Sequence, residues 1–466
     1  MKHRREFLRQ AGLGFGAAAA CSLLEAAGEN PLAAKRPPQA ARAKAVICLF
    51  MHGGVSHVDT WDPKPELARW SGQTLPGSFV EGLKTSRIDF TKALVRGSPW
   101  KFQRHGPGGI EISELFPNIA THAGDLAVIR SCYGDAFDHA PAMYQLSTGS
   151  QFPGRPCLGS WVVYGLGSEN QNLPSFVVMS DGAMKSGPQG YGAGFLPAVY
   201  QGTVFRGGNH PILDLSSPGG VSEATQRATL DFIAAQNRRH LAARPGDTEL
   251  EARIASYELA FRMQSTAPEA VDIGQESEAT RKLYGIGDGA ADDFGRKCLL
   301  ARRLVERGVR FVQLYSGTHQ GDDWDNAHND LAGSHNKMAA KSDKPIAGLL
   351  TDLKGRGMLD STLVVWASEF GRTPLAEGKN GRDHHPYGFS IWMAGAGIKG
   401  GRVLGATDEF GLRAVDQPKD AHDINATILR MLGVDHTRLT YFYQGRDMRL
   451  TDVHGDREFT RWLLGA

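Results

Sequence analysis

The sequence predicts an α/β protein, a doubly wound α/β/α sandwich with a mostly parallel central sheet. Two observations lead there. Six short runs are β-rich, and most are apolar on both faces: "AVICLFM" (45–51), "LAVIRSC" (126–132), "SFVVMS" (175–180), "RFVQLYS" (310–316), "TLVVWAS" (362–368) and "FSIWMAG" (389–395). Strands read this way when helices cover both faces of a parallel sheet. Helical patterns separate several of them, in "GRKCLLARRLVERG" (295–308), "KPIAGLLTDLKGRG" (344–357) and, past the last run, "DINATILRMLG" (423–433), which stops at Gly433. Alternation of this kind builds a doubly wound sheet.

Taken in order, the chain opens on "HRREFLRQAGLGFGAAAACSLLEAAG", with paired arginines, Phe-Leu close behind and a weak Gly/Ala-rich apolar run. This looks like a twin-arginine export signal read by the Tat machinery, so the mature protein is expected in the periplasm or outside the cell. The apolar run is too short and too rich in small residues to span a bilayer, and no transmembrane segment is expected in the mature chain. Cys21 offers lipid attachment as an alternative, although Ala18 stands where a larger aliphatic residue would be expected. A Pro/Ala-rich linker follows. Residues 1–43 are therefore assigned to signal and linker, and 44–466 to one domain.

Two segments break the alternation. Residues 182–208, rich in Gly, Pro and aromatics, predict a long loop folded over something. Residues 220–283, polar and helical, predict an excursion from the sheet. The net charge of +2 and the scatter of Lys and Arg among equal numbers of acids give no footing for nucleic acid. The five cysteines show neither CxxC spacing nor the density of a disulfide framework.

Ligands of open parallel sheets bind beyond the carboxyl ends of the strands. The first run leads into "HGGVSHVDTWDPKP" with His52, His57, Asp59 and Asp62; the second into "GDAFDHAP" with Asp135, Asp138 and His139. The fourth leads into "GTHQGDDWDNAHND" with His319, Asp322, Asp323, Asp325 and His328, and the fifth into "SEFGRTP" with Glu369 and Arg372. "GRDHHPYG", with Asp383, His384 and His385, precedes the sixth. Convergence of carboxylates and imidazoles on one edge predicts a divalent metal site of one or two ions: Zn²⁺, Mn²⁺ or iron for the mixed set, Ca²⁺ or Mg²⁺ for carboxylates alone. Each element also has a plain structural reading. Asp59 and Asp62 suit a turn around Pro63, Asp325 suits a helix cap, and His384 and His385 suit a surface beside Pro386.

Several stretches together resemble one family. "ICLFMHGGVSHVDTWDPKP", "DHAPAMYQLSTGSQFPGRPCLGSWVVYGLG", "WDNAHND", "TLVVWASEFGRTP", "GRDHHPYGFSIWMAGAGIKGG" and "DINATILRMLGVDHTRLTYFYQGRDMRLTDV" are similar to the DUF1501 proteins. These are exported, sulfatase-like proteins of the alkaline phosphatase superfamily, abundant in planctomycetes. The resemblance implies an alkaline phosphatase-like sandwich with one or two metal ions at the carboxyl edge. It also sets "HAPAMYQLSTG" against the sulfatase nucleophile motif, with Pro141, Thr148 and Gly149 in register, His139 at the nucleophile position and Met143 where an arginine is expected. His139 is then a ligand, a base or a nucleophile, and formylglycine chemistry is in doubt. Phe370 stands where the superfamily has a metal-binding histidine, which His384 or His385 would replace.

The resulting expectation is an exported metal-dependent hydrolase of a phosphate or sulfate ester, small or glycan-linked. Asp59, Asp325, His328, Glu369, His384 and His385 are its candidate ligands, with His139 at the reacting centre. Arg372 would clamp the anion, or else pair with Glu369. The alternatives are a binding protein for metal or glycan on the same fold, and a phosphomutase-like transferase.

Overall fold

The computed structural model describes residues 30–465 except 181, 209–210, 214, 216–218, 245–246 and 319–321; the export signal, Cys21 and His319 lie outside the described residues. The six apolar runs are six strands of one sheet, within a residue or so of their expected bounds: β1 (Ala45–Met51), β2 (Leu126–Cys132), β3 (Phe176–Ser180), β5 (Phe311–Ser316), β6 (Thr362–Ala367) and β9 (Phe389–Gly395). Two short edge strands complete it, β4 (Thr203–Arg206) and β10 (Arg402–Leu404). At four and three residues, they are too brief for periodicity to reveal.

Across the sheet the order is β10-β2-β9-β6-β1-β5-β3-β4. Strand β1 lies in parallel between β5 (Val46↔Phe311) and β6 (Ala45↔Thr362), and β9 pairs antiparallel with both β6 and β2. Only β9 runs against the rest. Its amino end therefore lies at the carboxyl edge of its neighbours, and the antiparallel hairpin that feeds it, β7 (Gly371–Glu377) with β8 (Gly381–His385), lies there too.

Successive side chains of a strand point to opposite faces, and the two faces of β1 seed two cores. Ile47, Leu49 and Met51 pack in one with helices at 292–306 and 331–355; Val46 and Phe50 pack in the other with α1 (His139–Thr148), α2 (Leu158–Leu166) and a helix at 421–431. The result is the expected α/β/α sandwich. Helix Leu331–Gly355 runs straight through Pro345, near which the sequence suggested a start. A proline suits a first helical turn, so the polar half before it gave no competing signal. Excursion 220–283 is helical, as expected, over Glu223–Ala242, Thr248–Val271 and Glu278–Leu283.

Residues 30–43, assigned to a linker, are tied to the domain. The N–H groups of Lys35, Gln39 and Arg42 donate to the carbonyls of Leu166, Gly433 and Met431 (2.8–2.9 Å). Those carbonyls lie at or just past helix ends, where no intrahelical donor remains, so a segment without its own periodicity still finds partners.

The turn after β1 is locked to the hairpin by a buried ion pair. Arg382 donates to Asp59 from Nε (2.8 Å) and Nη2 (3.3 Å), and both side chains are fully buried. Removing one partner strands a charge, so Arg382→Met is expected to lower stability by about 3–5 kcal/mol in urea unfolding. A loss below about 1 kcal/mol would show that the pair does not hold the hairpin.

Candidate metal centre

The turn after β5 supplies the central group. Asp323 caps a short 3-10 helix, Trp324–His328, by accepting from the N–H of Asp325 (3.0 Å), and the N–H of Trp324 donates to the carbonyl of His52 (3.1 Å). Trp324 is wholly buried and anchors the turn in the core. Side chains three apart eclipse in this helix type, which puts Asp325 and His328 on one side. Close approach of β1 is secured by Gly53, at φ +117°: a Cβ there would lie 2.5 Å from the nitrogen of Asp325.

Three imidazoles face one oxygen. Asp325 Oδ1 lies 2.9 Å from His139 Nε2, 2.9 Å from His384 Nε2 and 3.2 Å from His328 Nε2. Arg372 Nη2 donates to the same atom at 2.8 Å. Four nitrogens around one carboxylate oxygen exceed what its two lone pairs accept. The other ring nitrogens explain the arrangement. His139 Nδ1 meets Glu369 Oε1 (2.7 Å), His384 Nδ1 meets the carbonyl of Phe137 (2.6 Å), and His328 Nδ1 meets Glu377 Oε2. Each partner is an acceptor, so each Nδ1 donates to it and each ring turns its Nε2 inward, toward Asp325. His328 Nε2 and His384 Nε2 are 2.8 Å apart, a distance at which two lone pairs repel unless a cation or proton lies between them. Anchoring of this kind is what metal-binding histidines require; His139, Asp325 and His384 lie close enough together to hold one ion, with His328 beside His384 and Asp325.

Burial drives the His384 ring well below the usual histidine range, which keeps it neutral. Burial would also lower His139, but hydrogen bonds to Asp325 and Glu369 outweigh it and raise the ring. Burial would raise Asp325; the three histidines and Arg372 instead hold it far below the carboxylate range. Glu369, likewise buried, is pulled to about 2 by His139. A cation between Nε2 and Asp325 serves the same charges that the proton on His139 serves.

Helix α1 gives "HAPAMYQLSTG" a local explanation. His139 is its first residue, Pro141 stands in the first turn where no N–H is needed, and Gly149 closes it at φ +71°. Thr148 and Ser147 bond back to the carbonyls of Tyr144 and Met143 (2.8 and 2.7 Å), and Met143 is core. Phe370 is buried against both His139 (5.0 Å between centroids) and His384 (4.5 Å), so it walls the rings that it cannot join as a ligand. A bulge at the start of β8 lets Asp383 hold the backbone of His384 (2.8 Å) and so aim its ring.

Of the residues singled out in the sequence, His139, Asp325, His328 and His384 come together, with Glu369 behind His139. Asp59 and His385 stand apart. Asp59 is spent on Arg382 and Ser56, while His385 donates to the carbonyl of Leu412 (2.7 Å) and stacks on His57. Arg372 differs from the expected anion clamp: it is wholly buried, and it donates to the carbonyls of Gly53, Gly54 and Arg382 besides Asp325. It fixes the carboxylate from within, and it pairs with Asp325 rather than Glu369.

Three participants escaped the sequence reading. Lys185 donates to Asp325 Oδ2 at 2.6 Å from the 182–208 segment. Its signal was a lone lysine in a glycine-rich loop expected to fold over something. Glu377 left no signal, because it reaches His328 from the far end of β7. Phe137 contributes only a carbonyl, which no side-chain pattern can announce.

A family model, DUF1501, described as a protein of unknown function, matches residues 43–459, and the chain belongs to that family. Similar solved structures include the PsFucS1 sulfatase from Pseudoalteromonas sp. (14% identity, TM-score 0.39, 92% of this chain and 72% of that one). Another is the alkaline phosphatase from the Antarctic bacterium TAB5 (10% identity, TM-score 0.36, 85% and 99%). A third is the phosphonate monoester hydrolase SpPMH from Silicibacter pomeroyi (13% identity, TM-score 0.34, 75% and 72%). Likeness this low says nothing about chemistry here. No curated protein matches.

If Glu377 sets the ring of His328, Glu377→Gln is expected to weaken metal binding about 10- to 100-fold while the fold survives, as measured by metal titration. Unchanged affinity would mean that His328 needs no such anchor.

Proposed function

We propose that this DUF1501 protein is an exported metal-dependent hydrolase of phosphate or sulfate esters. The observation that carries the reading is the convergence of His139, His328 and His384 Nε2 on Asp325 Oδ1, each ring fixed by an acceptor on its other nitrogen. These four residues would hold the ion, and three nitrogens with one oxygen suit Zn²⁺, Mn²⁺ or iron better than Ca²⁺, which takes oxygen ligands. Such an ion, when bound, polarises an ester oxygen and lowers the pKa of a bound water.

The chain's own residues do the rest. Glu369, Glu377 and the carbonyl of Phe137 orient the rings, Phe370 keeps water from their rear faces, and Arg372 holds Asp325 ionised and in place. His139 acts in this reading as a ligand rather than a nucleophile, since Glu369 holds one ring nitrogen and Asp325 with Lys185 faces the other. Asp325, at 22% side-chain exposure, and Lys185, at 10%, form the mouth. An ammonium there favours an anionic ester, small or glycan-linked.

The test is metal content of the exported, mature protein beside Asp325→Ala, followed by a panel of aryl and sugar phosphates and sulfates. About one or two equivalents of transition metal, lost in the variant, with metal-dependent turnover of at least one ester, is expected. Absence of metal under every loading condition would overturn the reading. Metal without turnover would favour a binding protein on the same fold. Fused to a reporter, residues 1–43 should export it only where the twin-arginine machinery is intact.

A further inference from the structure

Lys185 is fixed by its main chain, and its tip reaches into the donor set. Its N–H donates to His52 Nε2 (3.2 Å), and the carbonyl of the next residue, Ser186, accepts from the Tyr144 hydroxyl (2.9 Å). Its Nζ lies 2.6 Å from Asp325 Oδ2, 3.2 Å from Asp323 Oδ2 and 3.2 Å from His139 Nε2. The carboxylate of Asp325 and that imidazole nitrogen are also members of the donor set. We propose that Lys185 is a built-in competitor of the metal ion: its ammonium and a divalent cation contend for Asp325 and His139, and metal binding turns the amine outward. The inference rests on the metal centre proposed above.

Charge and reach both argue for it. An ammonium and a divalent ion a few ångströms apart repel by far more than thermal energy, even at the dielectric of a protein surface. The amine can leave both Asp325 and the buried carboxylate of Asp323, 3.2 Å away, by rotating about its own side-chain bonds while the backbone stays clamped. The direction left open is the mouth, where Asp325 and His139 meet solvent. An anionic substrate oxygen arriving there would find the amine released only once the metal is in place. Metal and anion would then favour each other's binding, and reciprocally so.

Two measurements on the full exported protein test this. Zinc affinity is read by competition with a chromophoric chelator; Lys185→Met, which loses the competitor, should bind zinc at least about fivefold tighter than wild type. Independently, the rate at which a water-soluble acetylating reagent modifies Lys185 in the wild type, followed by mass spectrometry, should rise on zinc loading. A Lys185→Met variant with equal or weaker zinc affinity overturns the proposal, and so does a Lys185 acetylation rate that zinc leaves unchanged or lowers. Failure of the wild type to bind zinc or any other transition ion overturns the metal centre itself, which separates the two claims.

Discussion

A single carboxylate, that of Asp325, sets the constraint on which the rest of the site depends. Its two oxygens face three imidazoles, a buried guanidinium and an ammonium. Holding so many groups around one charge requires the backbone beneath it to be immobile. Gly53 lets the end of β1 touch the nitrogen of Asp325, and Arg372 ties the carbonyls of Gly53 and Gly54 to the same carboxylate. The first strand, the 323–328 turn and the β7–β8 hairpin thus meet at one point. Its many cationic and donating partners hold this carboxylate ionised, as a donor for a cation must be.

The direction of β9 explains how a fourth element reaches that point. In a wholly parallel sheet, residues just before a strand lie at the amino edge, far from the site. Here the chain turns through the β7–β8 hairpin after β6 and re-enters the sheet antiparallel, so that "GRDHH" reaches the carboxyl edge from the opposite direction. Along the way Phe370 takes an interior place beside the rings, and the bulge in β8 aims His384 while Arg382 turns to Asp59. Two adjacent histidines consequently have different lives. His384 joins the centre, whereas His385 points to the other side of its strand and packs on His57.

Much of this was legible beforehand, for physical reasons that differ by element. Central strands stood out because burial on both faces leaves them few polar positions; the edge strands at 203–206 and 402–404 have no such requirement and passed unnoticed. Asp325 and His328 stood three apart in one motif, a spacing that the 3-10 turn then put on one side. The partition of the other acids and imidazoles could not. Asp59 and Glu369 look alike as residues after strands, and only the fold gives one an arginine and the other a histidine. The same is true of Arg372, whose burial beneath Gly53 and Gly54 depends on the hairpin's return. Lys185 belonged to a loop that was expected to cover something but whose contact with Asp325 no pattern announced.

The most direct check of the central claim is a crystal structure of the zinc-loaded protein with an anomalous difference map at the metal edge. The account predicts the strongest peak at bonding distance, about 2.0–2.2 Å, from His139, His328 and His384 Nε2 and from an oxygen of Asp325. A peak held instead by Asp59 and His385, or none near Asp325, would contradict it.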